Sequence, residues 1–215
     1  MANFEPFSAE GVRGFLHRAK GAPEHGLVLT HGAGGNCSAP LLVMLANAFC
    51  AAGLHVLRCD LPFRQRRPTG PPSPSGAAAD REGLRLAVEA MRGLGPRRIL
   101  LGGQSYGGRQ ATMLVADQPD LAEALLLTSY PLHPPGKPER LRIEHFPRLC
   151  VPSVFVQGTV DPFASPAELH DAVRQIAAPT EIITIDGAGH DLRRGRFDPA
   201  PVIAAVLRAE GSTSN

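Results

Sequence analysis

Short runs rich in Val, Ile and Leu recur along this chain between segments of helical period, and this alternation constrains the fold more than any other feature. An apolar run of strand length, closed by Gly, Pro or Asp, reads as a strand buried on both faces. Strands joined through helices run parallel, because each helix carries the chain back to the edge it left. Strands are predicted at GVRGFLHRA (11–19), GLVLTH (26–31), HVLRCD (55–60), RRILLGG (97–103), EALLLTSY (123–130), PSVFVQG (152–158) and EIITID (181–186). The first alternates in character and reads as an antiparallel edge. Helices fall between them. SAPLLVMLANAFCAAG opens with Ser38 as N-cap and stops at Gly53, and AADREGLRLAVEAMRGLG stops at Gly93 or Gly95. YGGRQATMLVADQP follows a strand directly, and SPAELHDAVRQIA and DPAPVIAAVLRAE are capped by Ser165 and Asp198 with proline next. The expected class is α/β, a mostly parallel central sheet of about seven strands with helices on both faces.

Bulk properties narrow the partners. With 215 residues the chain reads as one domain, its core spanning about 11–209 and residues 210–215 forming a flexible tail. A formal net charge of +2 gives no general reason to expect nucleic acid or an anionic membrane. The longest apolar stretch, LLVMLANAFCAAGL, is interrupted by Asn47 and is shorter than the ~18 residues of a membrane span. No basic segment precedes it, so it is not read as a signal peptide. Cys37, Cys50, Cys59 and Cys150 form no C-x-x-C pair, and three lie in or beside apolar runs. They read as buried thiols of a reducing, cytoplasmic setting, with Cys37 set apart in a glycine loop. Two stretches, 64–76 and 133–150, are read as irregular; the first is placed on the carboxyl edge of the sheet, where open α/β sheets hold ligands.

The stretch GGQSYGG (102–108) surrounds a serine with glycines where a strand ends. Gly103-Gln104-Ser105-Tyr106-Gly107 is a G-x-S-x-G segment between a predicted strand and a predicted helix, the setting in which a sharp turn exposes the serine hydroxyl. A hydroxyl is a weak nucleophile at neutral pH. It needs an imidazole to take its proton and a carboxylate to hold that imidazole in the right tautomer. Chain order supplies both: Asp161 lies three residues past a buried strand, and His190 lies in a glycine-containing loop after the last strand. Asp186 and Asp191 flank the histidine and compete with Asp161 as its orienting acid. His17, His25 and His55 precede the serine at strand ends or edges, and His133, His145 and His170 lie in a loop or helix, where solvated or locally satisfied histidines are the rule. Backbone donors for a tetrahedral oxyanion are expected at Tyr106 and, from the H-G-x-G-G segment His31–Gly35, at Ala33 with Gly34 beside it. His31 is read as bracing that loop. Gly32-x-Gly34 with Asp60 after the next strand also suggests a dinucleotide fingerprint, but its third glycine position is Cys37 and no helix begins within it.

Together HGAGG, DLPFRQRRP, GGQSYGGR, QGTVDPF and DGAGHDL resemble the α/β-hydrolase fold from about residue 11 to 209. More narrowly, they are similar to a small lidless branch related to dienelactone hydrolases. That branch includes testis-expressed hydrolase-like proteins and a subunit of a histone-acetyltransferase complex. The resemblance implies Ser105 as nucleophile, Asp161 as acid and His190 as base, although dienelactone hydrolases carry cysteine at the elbow. Its chromatin-associated relatives imply that the fold can also serve assembly.

These readings lead to a serine hydrolase acting on a small carboxylic ester or thioester through an acyl-enzyme, with no metal or organic cofactor required. The different-class alternative is a binding or scaffold protein with an idle triad. Only residues 133–150 stand where a lid is usually inserted, which is too short for a helical cap and points to an open site with poor activity on long-chain lipids. Arg64, Arg66 and Arg67 lie in a loop expected at the pocket mouth, either anchoring it or binding an anionic part of the substrate. Arg109, on the nucleophile helix, is expected to pair locally with an acid.

Overall fold

The computed structural model describes residues 4–211. Its strands are β1 (Phe4–Ala9), β2 (Val12–His17), β3 (His25–Thr30), β4 (His55–Cys59), β5 (Arg98–Gln104), β6 (Ala124–Thr128), β7 (Ser153–Gly158) and β8 (Thr180–Ile185). Its helices are α1 (Pro40–Ala51), α2 (Pro62–Arg66), α3 (Ala77–Gly93), α4 (Tyr106–Asp117), α5 (Pro166–Val173) and α6 (Pro199–Gly211). The strands form one sheet in the order β1-β2-β4-β3-β5-β6-β7-β8. The first two pairings, β1 with β2 and β2 with β4, are antiparallel, and the others are parallel.

Alternate side chains of each central strand enter different cores. Leu27 and Leu29 of β3, Leu126 of β6, and Val154 and Val156 of β7 pack with Leu42, Leu45 and Phe49 of α1 and Val202 and Val206 of α6. Their neighbours Val28, Leu125, Leu127 and Phe155 point the other way, into a core shared with Leu84 and Val88 of α3, Leu114 of α4 and Leu169 of α5. Each such aliphatic side chain contributes about 1.5 to 3 kcal/mol on full burial, so both faces of the sheet need helices over them. The winding reverses between β3 and β5: β4 lies to one side of β3, and β5 to the other. The crevice for a ligand opens at that reversal, above the carboxyl ends of the strands.

Several sequence expectations need correction. The sheet has an eighth strand, β1, so the edge is Phe4–Ala9 and not the predicted 11–19 segment. It is an exposed edge strand that accommodates Pro6, whose missing donor is tolerated there. Ser38 is not the N-cap of α1: Ala39 occupies that place, Pro40 is the first helical residue, and the Ser38 N–H donates to Asn36 Oδ1 at 2.8 Å. Ser165 does cap α5, in a reciprocal box with Glu168. The irregular 64–76 stretch includes the end of α2 and a 3₁₀ turn at Pro74–Gly76. Cys37 and Cys59 are buried, Cys50 partly so, but Cys150 is exposed. Of the expected tail only Glu210 and Gly211, the end of α6, are described; 212–215 lie outside the described residues. Among the described residues no helix is long and apolar enough to cross a membrane.

Between β6 and β7 there is no cap. One 3₁₀ turn, Phe146–Arg148, interrupts an extended connection whose Tyr130, Leu132, Ile143, Phe146 and Leu149 are sunk in the α3–α5 core. His145 is buried in this connection and lies 2.8 Å from Thr112 Oγ1 of α4. Across the sheet, Arg58 is fully buried between the rings of Phe4 and Phe15, 5.1 Å from each, and donates its Nε proton to His17 Nε2 at 2.8 Å. Burial, reinforced by Arg58, lowers His17 to about 4. Burial, reinforced by Arg109, lowers His145 to about 4. In the unfolded chain both return to about 6.5. Between pH 6.5 and 4 the unfolded state therefore binds protons that the folded state refuses, and stability falls as pH falls. Urea midpoints should be flat above pH 6.5 and drop steadily below it. His145→Gln, which keeps a polar partner for Thr112, should reduce that pH slope by about one proton.

Candidate active site

The site starts from a tight turn that the glycines around Ser105 make possible. Ser105 has φ 51° and ψ −115°, a strained conformation for a residue with a side chain. It is held there by close contact between β5, α4 and the loop after β3. A Cβ on Gly103 would lie 2.5 Å from the Gly108 nitrogen, and one on Gly107 would lie 2.5 Å from the His31 carbonyl oxygen. The turn therefore brings α4 against two strands at once and lifts Ser105 above the sheet.

Two further loops reach the serine. His190, after β8, has Nε2 2.8 Å from Ser105 Oγ, while its Nδ1 lies 2.8 and 3.0 Å from the two oxygens of Asp161, after β7. This partner set puts the imidazole proton on Nδ1 and leaves Nε2 to accept from the hydroxyl. The Asp161 side chain is wholly buried. It also accepts from the Phe163 N–H at 2.9 Å and from Gln157 Nε2 at 2.8 Å. Gln157 is fully buried in β7 and in turn accepts from the Tyr130 N–H at 2.9 Å. The Phe163 ring lies against His190, centroids 4.1 Å apart. Asp186 and Asp191 are exposed and turned elsewhere: Asp186 accepts from Thr159 Oγ1 at 3.3 Å, and Asp191 accepts from the Arg193 N–H at 3.1 Å.

The β3 loop faces the serine from the opposite side. Gly32 through Gly35 form a turn closed by Gly35 N–H to Gly32 O at 3.0 Å. His31 Nε2 accepts from the Leu61 N–H at 3.1 Å, so its proton is on Nδ1, which donates to the same Gly32 oxygen at 2.8 Å. Burial lowers the His31 pKa and keeps the ring neutral for this role. With its oxygen held twice, the Gly32–Ala33 peptide has a fixed plane, and Ala33 N–H points away from that oxygen. A Cβ on Gly32 would sit 3.3 Å from Ser105 Cβ, so this peptide passes next to the serine. Tyr106 is the first residue of α4, and its N–H is one of the first-turn donors without an intrahelical acceptor. Gly34 is the exposed tip of the turn.

Arg64 braces this loop. It donates to the carbonyls of Gly35 (2.7 Å), Ala33 (2.9 Å), Gly70 (3.1 Å) and Arg67 (3.2 Å), and is buried. Those carbonyls, not a substrate, occupy its fork of donors. Arg66 and Arg67 are exposed, and Arg67 donates to Pro71 O at 3.0 Å. Asp60 serves the same loop, accepting from the Cys37 N–H at 2.7 Å, and α1 does not begin until Pro40. The phosphate-facing helix start of a dinucleotide site is therefore missing from this loop.

Sequence reasoning missed Gln157, Phe163 and Asp80. Asp80, fully buried in the first turn of α3, accepts from Tyr106 Oη at 2.8 Å and from the Phe63 N–H at 3.0 Å. It thereby joins α4 to α2. Its only sequence signal, an acid near a helix start, is shared by many solvated residues. Beside His190, a cleft of about 570 Å³ is lined by Gln104, Val160, Pro162, Gly189, Asp191 and Arg194. An apolar recess of about 260 Å³ lies on the other side of Gln104, between Leu41, Met44 and Leu192.

Because the Gly107 Cα faces a carbonyl oxygen that cannot retreat without breaking the β3 loop, Gly107→Ala should cost about 3 kcal/mol. The check is a urea denaturation comparison with wild type. A midpoint within error of wild type would mean that the elbow can open at little cost.

A family model described as an alpha/beta hydrolase domain matches residues 23–201. Among solved structures, the fold is similar to a dienelactone hydrolase from Anabaena variabilis (TM-score 0.69, 20% identity, 96% of each chain). It is also similar to XC6422 from Xanthomonas campestris, described as an α/β serine hydrolase without lid (TM-score 0.72, 15% identity, 99% of this chain and 96% of that one). Est1E from Butyrivibrio proteoclasticus, solved with ferulic acid, gives a TM-score of 0.72 at 17% identity over 96% of this chain and 99% of that one. A curated relative, epoxide hydrolase A of Mycobacterium tuberculosis, is 41% identical over 59 residues, 27% of this chain and 18% of that protein's length. The family match, covering most of the chain, agrees with the sheet order and the missing cap: the protein belongs to the α/β-hydrolase family and has its lidless form.

Proposed function

We propose that this hydrolase cleaves a small carboxylic ester or thioester through an acyl-enzyme on Ser105. The observation that carries this reading is the 2.8 Å approach of His190 Nε2 to Ser105 Oγ, with Asp161 on the far side of the same ring. His190 takes the serine proton as Oγ attacks the acyl carbon, and the negative charge moves to the carbonyl oxygen. Ala33 and Tyr106 N–H are suited to receive that oxygen, each such donor being worth about 3 to 4 kcal/mol in the transition state. Collapse breaks the bond to the leaving group, to which His190 returns the proton. Water deprotonated by His190 then attacks the acyl carbon, releasing the acid and restoring Ser105. The 260 Å³ recess beside Gln104 suits a short acyl chain.

A fluorophosphonate probe tests the reading directly, because an activated serine reacts and an idle one does not. Labelling of wild type at Ser105, abolished in Ser105→Ala and strongly reduced in His190→Ala, is the expected result. Folded wild type that takes no label would favour the scaffold alternative instead.

Gln157 is a positioning residue in this scheme. It never meets substrate, but it fixes the carboxylate that orients the base. Gln157→Leu should lower kcat about 10- to 100-fold with KM little changed, because a loosened Asp161 affects the transition state more than binding. Steady-state kinetics on p-nitrophenyl acetate read this out. A change confined to KM would remove Gln157 from the scheme.

A further inference from the structure

Asp80 is a buried acid that the reaction scheme does not use. It lies in the first turn of α3, fully buried. Among the described residues no cation pairs with it, and Arg109 of the neighbouring α4 has no acid either. A carboxylate buried without a counter-ion is costly, and here two hydrogen-bond donors and the amino end of α3 stand in for one.

Each oxygen of Asp80 holds a different wall of the site. Oδ2 accepts from Tyr106 Oη at 2.8 Å, and Oδ1 accepts from the Phe63 N–H at 3.0 Å. Burial, reinforced by Asp80, raises the Tyr106 pKa well above its usual value, so the hydroxyl remains a donor. Tyr106 opens α4, and its own N–H is one of the two groups suited to the oxyanion. Phe63 leads to the other. The next residue, Arg64, donates to Ala33 O at 2.9 Å and Gly35 O at 2.7 Å, two carbonyls of the turn that presents the Ala33 N–H. The Phe63 ring meets both walls edge-on, its centroid 5.6 Å from that of His31 and 5.8 Å from that of Tyr106. α2 is in turn pressed onto α3. Gly83 follows Asp80 by three residues on the buried face of α3, and a Cβ there would lie 2.5 Å from Pro62 Cδ. Pro62 thus docks directly on the helix that carries the acid, and delivers the Phe63 N–H to it.

We infer that Asp80 is the positioning residue that sets the spacing of the two oxyanion donors, tying Tyr106 on α4 to the Ala33 loop through α2. The inference rests on the acyl-enzyme reading of Ser105, in which both N–H groups face one oxygen. Two donors stabilise a developing charge fully only when both are aimed at the place where it appears. A displacement of about 1 Å can cost ~100-fold in rate. Substrate binding depends far less on that spacing, because the oxygen carries little charge until the bond to Ser105 Oγ forms.

Tyr106→Phe removes one arm of the bridge and keeps both the ring and the backbone N–H. It should lower kcat on p-nitrophenyl acetate about tenfold with KM changed less than about twofold. A trifluoromethyl ketone mimics the tetrahedral state: Ser105 Oγ adds to its carbonyl carbon, His190 takes the proton, and the negative charge stays on the former carbonyl oxygen. Its affinity for Tyr106→Phe should fall by the same factor as kcat/KM. The midpoint of the pH-rate profile should stay at the wild-type value, since His190 stands on the other side of Ser105. Asp80→Asn keeps an acceptor for the Phe63 N–H and turns an amide donor toward Tyr106 Oη, so it should lose less activity than Tyr106→Phe. A loss confined to KM, a trifluoromethyl ketone bound as tightly as by wild type, or a shifted pH midpoint would overturn the inference and leave the reading of Ser105 intact, provided that wild type takes the fluorophosphonate label. Folded wild type that takes no label removes that reading, and this inference with it.

Discussion

The contact between the start of α4 and the loop after β3 is the constraint on which the site depends. Two backbones meet at distances that no side chain allows, Gly107 against His31 O and Gly103 against Gly108. That contact does three things at once. It forces Ser105 to φ 51°, brings the first-turn N–H groups of α4 beside the Gly32–Ala33 peptide, and places both at the reversal point of the sheet. The strain is kept because both sides are fixed independently. β5 pairs with β3 and β6, and the β3 loop is pinned by His31, Arg64 and Asp60. A single flexible partner would let the serine relax to an ordinary turn.

The same logic orders the opposite side of the site. A Cβ on Gly158, at the end of β7, would lie 2.2 Å from the Ala188 carbonyl, so the loop carrying His190 rests directly on the strand that carries the acid. Asp161 is then fixed by Gln157 and the Phe163 amide, and Gln157 by the Tyr130 amide. Tyr130 follows Ser129, another residue held at positive φ, 51°. Two strand ends, those of β6 and β7, are thus linked by hydrogen bonds before the imidazole is reached. A buried network of this kind holds geometry well when every member is satisfied, and loses it quickly when one is removed.

Much of this was legible in the sequence where the physics is local or ordinal. β3, β5, β6 and β7 are apolar through their middles because both faces are covered, and their runs stood out. The elbow was visible because its glycines are sterically required, and Asp161 and His190 because their chain order leaves few other places for them. What escaped has a shared cause. β1 lies at an edge, is exposed and contains Pro6, so it carries no apolar period. Gln157 and Asp80 look like ordinary polar residues until burial shows which donors they serve. The arginines divided in a way that composition could not show. Arg64, in the loop expected at the pocket mouth, turned inward to carbonyls, while Arg109, expected to be paired, was left without an acid.

That division bears on how an open site selects anything. With no cap, water has access to His190 from the 570 Å³ cleft, and nothing closes over a chain bound there. The connection after β6 cannot swing shut, because Tyr130, Leu132, Ile143, Phe146 and Leu149 anchor it in the core. Affinity in such a site has to come from a few directional contacts whose desolvation is paid in advance by the fold. For Arg66 or Arg67, binding an anion would still require stripping water from both partners, and exposed pairs of that kind are worth about 0 to 1 kcal/mol.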